Sequence, residues 1–205
     1  MILYVTKQTV ERYKLKMPEE LSPPMDVIAK EIMRREQGDP LLEWGGKLFY
    51  FDRRKCIQFV NFASKFTLFL VDIKVSELPL VGNTIAQYLM DIYGDDAKMR
   101  SCLEKLFEEA PFCCFAKLTD KSAIATLNHT QRAFAFDGYR FYDYIEKNIL
   151  KTRKINRDVN FDYPFTRKQD GKTEYFYPGE RYKELLLARY GLKKGPNPQA
   201  PGEQG

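Results

Sequence analysis

LEWGGKLFYFDRRKCIQFVNFASKFTLFLVDI, residues 42–73, contains three apolar runs that are typical of β-strands. The runs are Leu48–Phe51, Ile57–Asn61 and Phe66–Asp72, and they are rich in the aromatic and branched side chains that suit a pleated surface. A short charged corner, Asp52–Lys55, joins the first two runs, as in an antiparallel meander. Polar and apolar residues do not alternate regularly, so we expect both faces of these strands to be covered.

The rest of the chain is predicted to complete an α+β domain around this block. Met1–Thr6 and Phe112–Leu118 are further strand candidates, which makes an antiparallel sheet of about four to five strands. Apolar residues at helical spacing predict amphipathic helices near residues 25–33, 85–92 and 99–107. A longer helix is expected over 123–149, kinked or interrupted at Gly138. The helices are expected to pack on the sheet.

The composition changes near Lys151. Residues 151–195 hold twelve Lys or Arg against six Asp or Glu, and FDYPF and TEYFYP flank RKQDGK, which predicts a β-hairpin followed by a helix. We expect a body at residues 1–150, a basic, aromatic hairpin–helix appendage at 151–192 and a disordered tail at 193–205. In the alternative, the aromatic residues fill the main core and the hairpin is one more wall of the domain.

Length and composition exclude several classes. A chain of 205 residues with 44% hydrophobic content fits one domain, and without a run of about 18 apolar residues we expect no membrane span. The four cysteines show no CxxC spacing and there is one His, so neither a metal site nor a cofactor is expected. The first residues become polar too early for a signal peptide, which predicts a cytoplasmic protein. The formal charge of +5 permits contact with nucleic acid without requiring it.

Several short motifs resemble those of an uncharacterised bacterial family of small cytoplasmic proteins, catalogued as a domain of unknown function. The pattern is a Trp before an apolar strand, a DRRKC corner, a strand ending in Asn, and a later TDKS segment that precedes Asn. The matching positions are Trp44, Asp52, Arg53, Arg54, Lys55, Cys56, Asn61, Thr119, Asp120, Lys121, Ser122 and Asn128. The resemblance covers roughly residues 1–149 and implies a fold and a compartment but no activity.

Two motifs are weak candidates for catalysis. His129 is the only imidazole, and with Asp120 and Arg54 it is the candidate set for a nuclease-like or toxin-like activity on phosphodiesters. A lone His beside a helix bend is more often structural. Arg53, Arg54 and Lys55 at the corner are candidates for gripping phosphate, although charged hairpin tips also serve as solvated guards of sticky strands.

The basic region after residue 150 supplies the remaining binding candidates, in which cations are interleaved with tyrosines. These candidates are Arg153, Lys154, Arg157, Tyr163, Arg167, Lys168 and Tyr175. Such interleaving suits a nucleic-acid groove, an acidic protein partner or a plain solvated scaffold. We expect a non-catalytic binding protein that docks on a macromolecule, acidic protein or nucleic acid, with a phage, mobile-element or defence locus as a candidate origin.

Overall fold

The computed structural model describes residues 1–136, 138, 140–169 and 171–191, without the side chains of residues 134, 168 and 169. The predicted disordered tail at 193–205 and the Lys168 side chain therefore lie outside the described residues. Within them the α+β class is confirmed, with a five-stranded mixed sheet between two layers of helices.

The main sheet has the strand order β4-β3-β2-β1-β5. Its strands are β1 (Ile2–Val5), β2 (Glu43–Phe51), β3 (Arg54–Asn61), β4 (Thr67–Val71) and β5 (Cys114–Lys117). Two separate hairpins follow, β6 (Ile145–Glu146) with β7 (Ile149–Leu150), and β8 (Phe165–Gln169) with β9 (Lys172–Phe176). The second hairpin is the one predicted around RKQDGK.

The orientation of β1 corrects the expectation of an antiparallel sheet. β2, β3 and β4 form the predicted antiparallel meander, but β1 runs parallel to both β2 and β5. Helical segments lie between β1 and each of these partners. Such long crossovers return the chain to the end of the sheet where β1 begins, as parallel pairing requires. Apolar runs alone carry no information about strand direction.

Gly45 and Gly46 lie inside β2 rather than in a turn. Gly46 pairs with Phe59 of β3, and a Cβ at Gly46 would lie 2.6 Å from a ring carbon of Phe59. The glycine therefore makes room for the Phe59 ring on that face of the sheet.

Seven α-helices surround the sheet within the described residues. They are α1 (Lys7–Tyr13), α2 (Met25–Glu36), α3 (Val81–Tyr93), α4 (Ala97–Glu109), α5 (Lys121–Phe136), α6 (Thr152–Phe161) and α7 (Pro178–Tyr190), with short 3-10 turns at Pro18–Glu20, Val75–Leu80 and Phe141–Tyr144. The helix predicted over 123–149 ends at Phe136. Helix α6 lies where the sequence indicates only a basic stretch.

Both faces of the sheet are covered, as expected from the poor alternation of its strands. The largest core cluster joins one face of the sheet to α1, α3, α4 and α7. On the other face, smaller clusters join the sheet to α2, α5 and α6. Trp44 is fully buried in the largest cluster.

The free edge of β4 is closed by two asparagine side chains of α6. Asn160 accepts a hydrogen bond from the Thr67 N–H at 2.7 Å and donates one to the Thr67 carbonyl at 2.6 Å. Asn156, one turn earlier, makes the same pair of bonds with Phe69, at 2.7 and 3.2 Å. The two amides thus act as the missing neighbouring strand, and both are fully buried.

α7 is also part of the main core. Tyr182 is fully buried, with ring centroids 6.0 Å from Trp44, 5.0 Å from Phe66 and 6.2 Å from Tyr93. The Tyr93 hydroxyl donates to the Gly179 carbonyl at 2.7 Å. The buried faces of α6 and α7 therefore pack against the body, and the division at residue 150 stays a prediction.

Replacing Asn160 by Ala should cost about 2–5 kcal/mol of unfolding free energy, because the buried N–H and C=O of Thr67 both lose their partner. Urea unfolding followed by the fluorescence of Trp44 measures the loss. Asn83→Ala, at an exposed position of α3, is the matched control and should change stability by less than about 0.5 kcal/mol. Equal small losses in both variants would contradict a stabilising role of the amide.

A chain cut after Leu150 should lose cooperative thermal unfolding. The cut removes α6 and α7 and exposes the edge of β4 together with the rings around Tyr182. Differential scanning calorimetry of this chain, beside one that ends at Gly191, makes the comparison. A sharp transition in the shorter chain would instead support an independently folded body at residues 1–150.

Candidate binding surface and cavity

The charged corner between β2 and β3 is a tight turn held by its own contacts. Asp52 and Arg53 have φ values of 47° and 61°, as in the two-residue turns that match the twist of paired strands. The Asp52 carboxylate accepts a hydrogen bond from the Phe141 N–H at 2.6 Å, and Arg54 pairs with Asp72 at 3.0 Å. Asp52 is therefore a structural anchor for the 3-10 turn at Phe141–Tyr144.

The other predicted phosphate-gripping residues of the corner point to different surroundings. Lys55 lies with its Nζ 4.7 Å from the centroid of the Tyr13 ring, a cation–π contact. Arg53 is exposed at the tip of the turn. The structure thus commits Arg54 and Lys55 to intramolecular partners.

The predicted cations of α6 lie on its outer face, since Ile155, Asn156, Val159 and Asn160 face the sheet. Arg153 lies 3.7 Å from Asp95, and Lys154 lies 5.8 Å from the ring centroid of Tyr144. Arg157 is exposed. One of these three cations thus has an acidic neighbour, and a second has a cation–π contact that leaves its charge in place.

The predicted binding residues fall into two separate regions. Asn156 contacts Phe69 and Asn160 contacts Thr67, so α6 runs antiparallel to β4. The start of α6 therefore lies at the end of β4, beside the charged corner. The corner and the start of α6 form the first region, and both border the core cluster that contains Phe141. The second region is the β8–β9 hairpin, which follows the opposite end of α6.

The β8–β9 hairpin exposes most of its second strand. Residues 172–175 of β9 are all exposed; Tyr175 is 71% exposed, and Tyr177, just after the strand, 43%. Arg167 pairs with Glu174 across the hairpin at 2.6 Å. Phe165 and Phe176 hold its root, with ring centroids 6.1 Å apart.

The candidate catalytic residues are not brought together. Asp120 precedes α5, where its carboxylate accepts a hydrogen bond from the Ala123 N–H at 2.5 Å. His129 follows nine residues later on the same helix, about 13 Å along its axis. His129 is exposed and meets the Phe165 ring edge-on at 5.5 Å, while Arg54 is paired with Asp72.

A polar chain fastens α5 to the sheet. The Lys47 ammonium donates to the Asn128 side-chain oxygen at 2.6 Å, and the Gln131 amide donates to the oxygen of Gln58 at 3.0 Å. Gln58 is fully buried in the middle of β3. These bonds fix the position of the helix that carries His129.

A cavity of about 240 Å³ lies between α5, α6 and the root of the β8–β9 hairpin. Its lining residues are His129, Thr130, Ala133, Val159, Tyr163, Pro164 and Phe165. His129 and Tyr163 are candidate residues in the sequence for unrelated reasons, and the sequence does not indicate that they share a cavity. Two distant stretches of the chain, residues 129–133 and 159–165, form the cavity, so no local spacing signals it.

The cysteines do not form a nucleophilic site. All four are free, and burial raises the pKa of Cys113 to about 11 and that of Cys114 to about 12. Burial also raises the pKa of Cys56 and of Cys102. At neutral pH the thiols are therefore protonated, and the thiol is the unreactive form.

Folded protein should react slowly with a thiol reagent at pH 8, because a raised pKa keeps each thiol protonated there. All four cysteines should react quickly once urea unfolds the chain. Counting modified thiols by mass spectrometry over time checks both states. Rapid labelling of Cys113 or Cys114 in the folded protein would contradict the raised pKa.

Together these features describe an α+β protein with a mixed sheet covered on both faces and an exposed aromatic hairpin. A family model described as a domain of unknown function (DUF6933) matches residues 2–181, and the chain belongs to this family. The match continues beyond residue 149, where the resemblance in sequence motifs ended, and includes α6 and the β8–β9 hairpin. No curated protein matches the chain. Among the described helices, none combines the length and apolar character needed to cross a membrane.

Proposed function

We propose that this is a non-catalytic binding protein that docks on another protein through the β8–β9 hairpin. The observation that carries the proposal is the exposure of residues 172–175 together with the Tyr175 side chain. Tyrosine offers a large contact area with a polar tip and is enriched at protein interfaces. Within the described residues, β8 and β9 form a sheet of two strands, to which an extended segment of a partner can add as a third strand.

Three of the predicted cations are paired with acidic side chains, which favours a protein partner over nucleic acid. Arg54, Arg153 and Arg167 each have an acidic neighbour, Asp72, Asp95 and Glu174 respectively. Binding to a phosphate backbone draws its strength from clustered unneutralised cations. Exposed aromatic surface does not depend on such charge.

The positions of the candidate catalytic residues bear on the alternative of a phosphodiester-directed enzyme. General acid–base chemistry needs its groups within hydrogen-bond reach of one another or of a shared substrate. Asp120 and His129 are about 13 Å apart along α5, and Asp120 is bound to the helix it begins. This alternative stays a prediction, and the described candidate residues do not form a catalytic arrangement.

The location we propose is the cytoplasm, where thiols are kept reduced. The support is that all four cysteines are free.

A photo-cross-linking residue at position 175 tests the docking proposal in lysate of the source cells. We expect one discrete protein adduct, formed from position 175 and absent from position 142, where Tyr142 is 59% exposed on another part of the surface. Treatment with nuclease should leave the adduct unchanged. Equal adducts from both positions, or an adduct that disappears with nuclease, would contradict docking of a protein on the hairpin.

Salt and charge reversal give an independent reading with the cross-linked partner once it is purified. Tyr175→Ala should weaken its binding at least tenfold, about 1.4 kcal/mol, and Tyr142→Ala should not. Reversing the charges of Arg153, Lys154 and Arg157 should leave binding unchanged. Affinity should change little between 50 and 200 mM salt, whereas six to ten phosphate contacts would lose about 10³–10⁵-fold over that range.

A further inference from the structure

The cavity beside the hairpin root has the size of a small-molecule site. Its volume of about 240 Å³ exceeds the ~150 Å³ of an engineered protein cavity that holds benzene. Val159 and Thr130 at its walls are almost fully buried, whereas His129 is exposed. The space is therefore a recess that opens to solvent beside His129.

The lining decides which chemistry fits. Most of the wall is aromatic or aliphatic, from Phe165, Tyr163, Pro164, Val159 and Ala133. None of the described lining residues is Asp, Glu, Lys or Arg. A charged ligand would lose its hydration without a fixed counter-charge, so a neutral molecule is favoured.

The lining also holds a specific polar group. The Thr130 hydroxyl donates its hydrogen to the Thr126 carbonyl at 3.0 Å. Its oxygen keeps lone pairs, which can accept a hydrogen bond from a ligand that reaches them. A ligand that uses it must carry a donor, such as a hydroxyl or an amino group.

We propose that this cavity binds a small neutral molecule with one aromatic ring and one hydroxyl or amino group. The ring packs between Phe165 and Val159, and the donor bonds the Thr130 oxygen. The assignment is independent of the docking proposed for the hairpin, because it rests on the cavity and not on the exposed face of β9.

Phenol and benzene are the probes, titrated into labelled full-length protein and followed by the NMR signals of the His129 ring and the Ala133 methyl group. We expect saturable shifts with phenol, with a dissociation constant near or below about 1 mM, and weaker binding of benzene. Ala133→Leu fills the cavity and should weaken phenol at least tenfold. Ala135→Leu, an exposed neighbour on the same helix, is the matched control and should leave binding unchanged.

Thr130→Val keeps the shape of the side chain and removes its oxygen, so it tests the polar contact separately from the filling of space. It should weaken phenol at least tenfold and leave benzene unchanged, and it serves even where Ala133→Leu disturbs folding. The proposal is overturned when phenol gives no saturable shift up to about 10 mM, a range that covers weak single-ring ligands. It is equally overturned when phenol and benzene respond alike to Thr130→Val.

Discussion

The side-chain amides of Asn156 and Asn160 make the contact on which the rest of the structure depends. An edge strand with free N–H and C=O groups invites pairing with another chain. Here the two amides satisfy Thr67 and Phe69 of β4 and bind α6 to the sheet. Because α6 is fixed, Phe161 at its end packs over Gly179 of α7, and Val159 becomes a wall of the cavity.

The C-terminal segment combines two roles that its composition does not separate. One part builds the core, through the buried faces of α6 and α7. The other part, β8 and β9, projects from that core with Tyr175 in solvent and Phe165 and Phe176 packed at its root. A rigid base beneath an exposed element lowers the ordering cost of binding, which is why scaffold and contact surface so often lie next to each other in the chain.

Strand positions were predictable because apolar runs between turn residues are a local signal, and all five predicted strands of the main sheet are present. The direction of β1 was not predictable, because it depends on crossovers through helices. α6 escaped prediction because only Ile155 and Val159 are apolar on its buried face, and the other buried positions are asparagines. A buried Asn and a solvated one look alike in sequence. The cavity joins residues 129–133, 159 and 163–165, so it exists only after folding.

The central place of β1 has a consequence for the order of events on the ribosome. The β2–β3–β4 meander is complete once residue 71 has emerged, because its pairings are between neighbours in the chain. β1 precedes the meander in the chain, yet its second neighbour, β5, ends only at residue 117, and Asn160 follows still later. One edge of β1 and the open side of β4 therefore stay unpaired until these later segments have been made. Unpaired strand edges make a folding intermediate prone to aggregation.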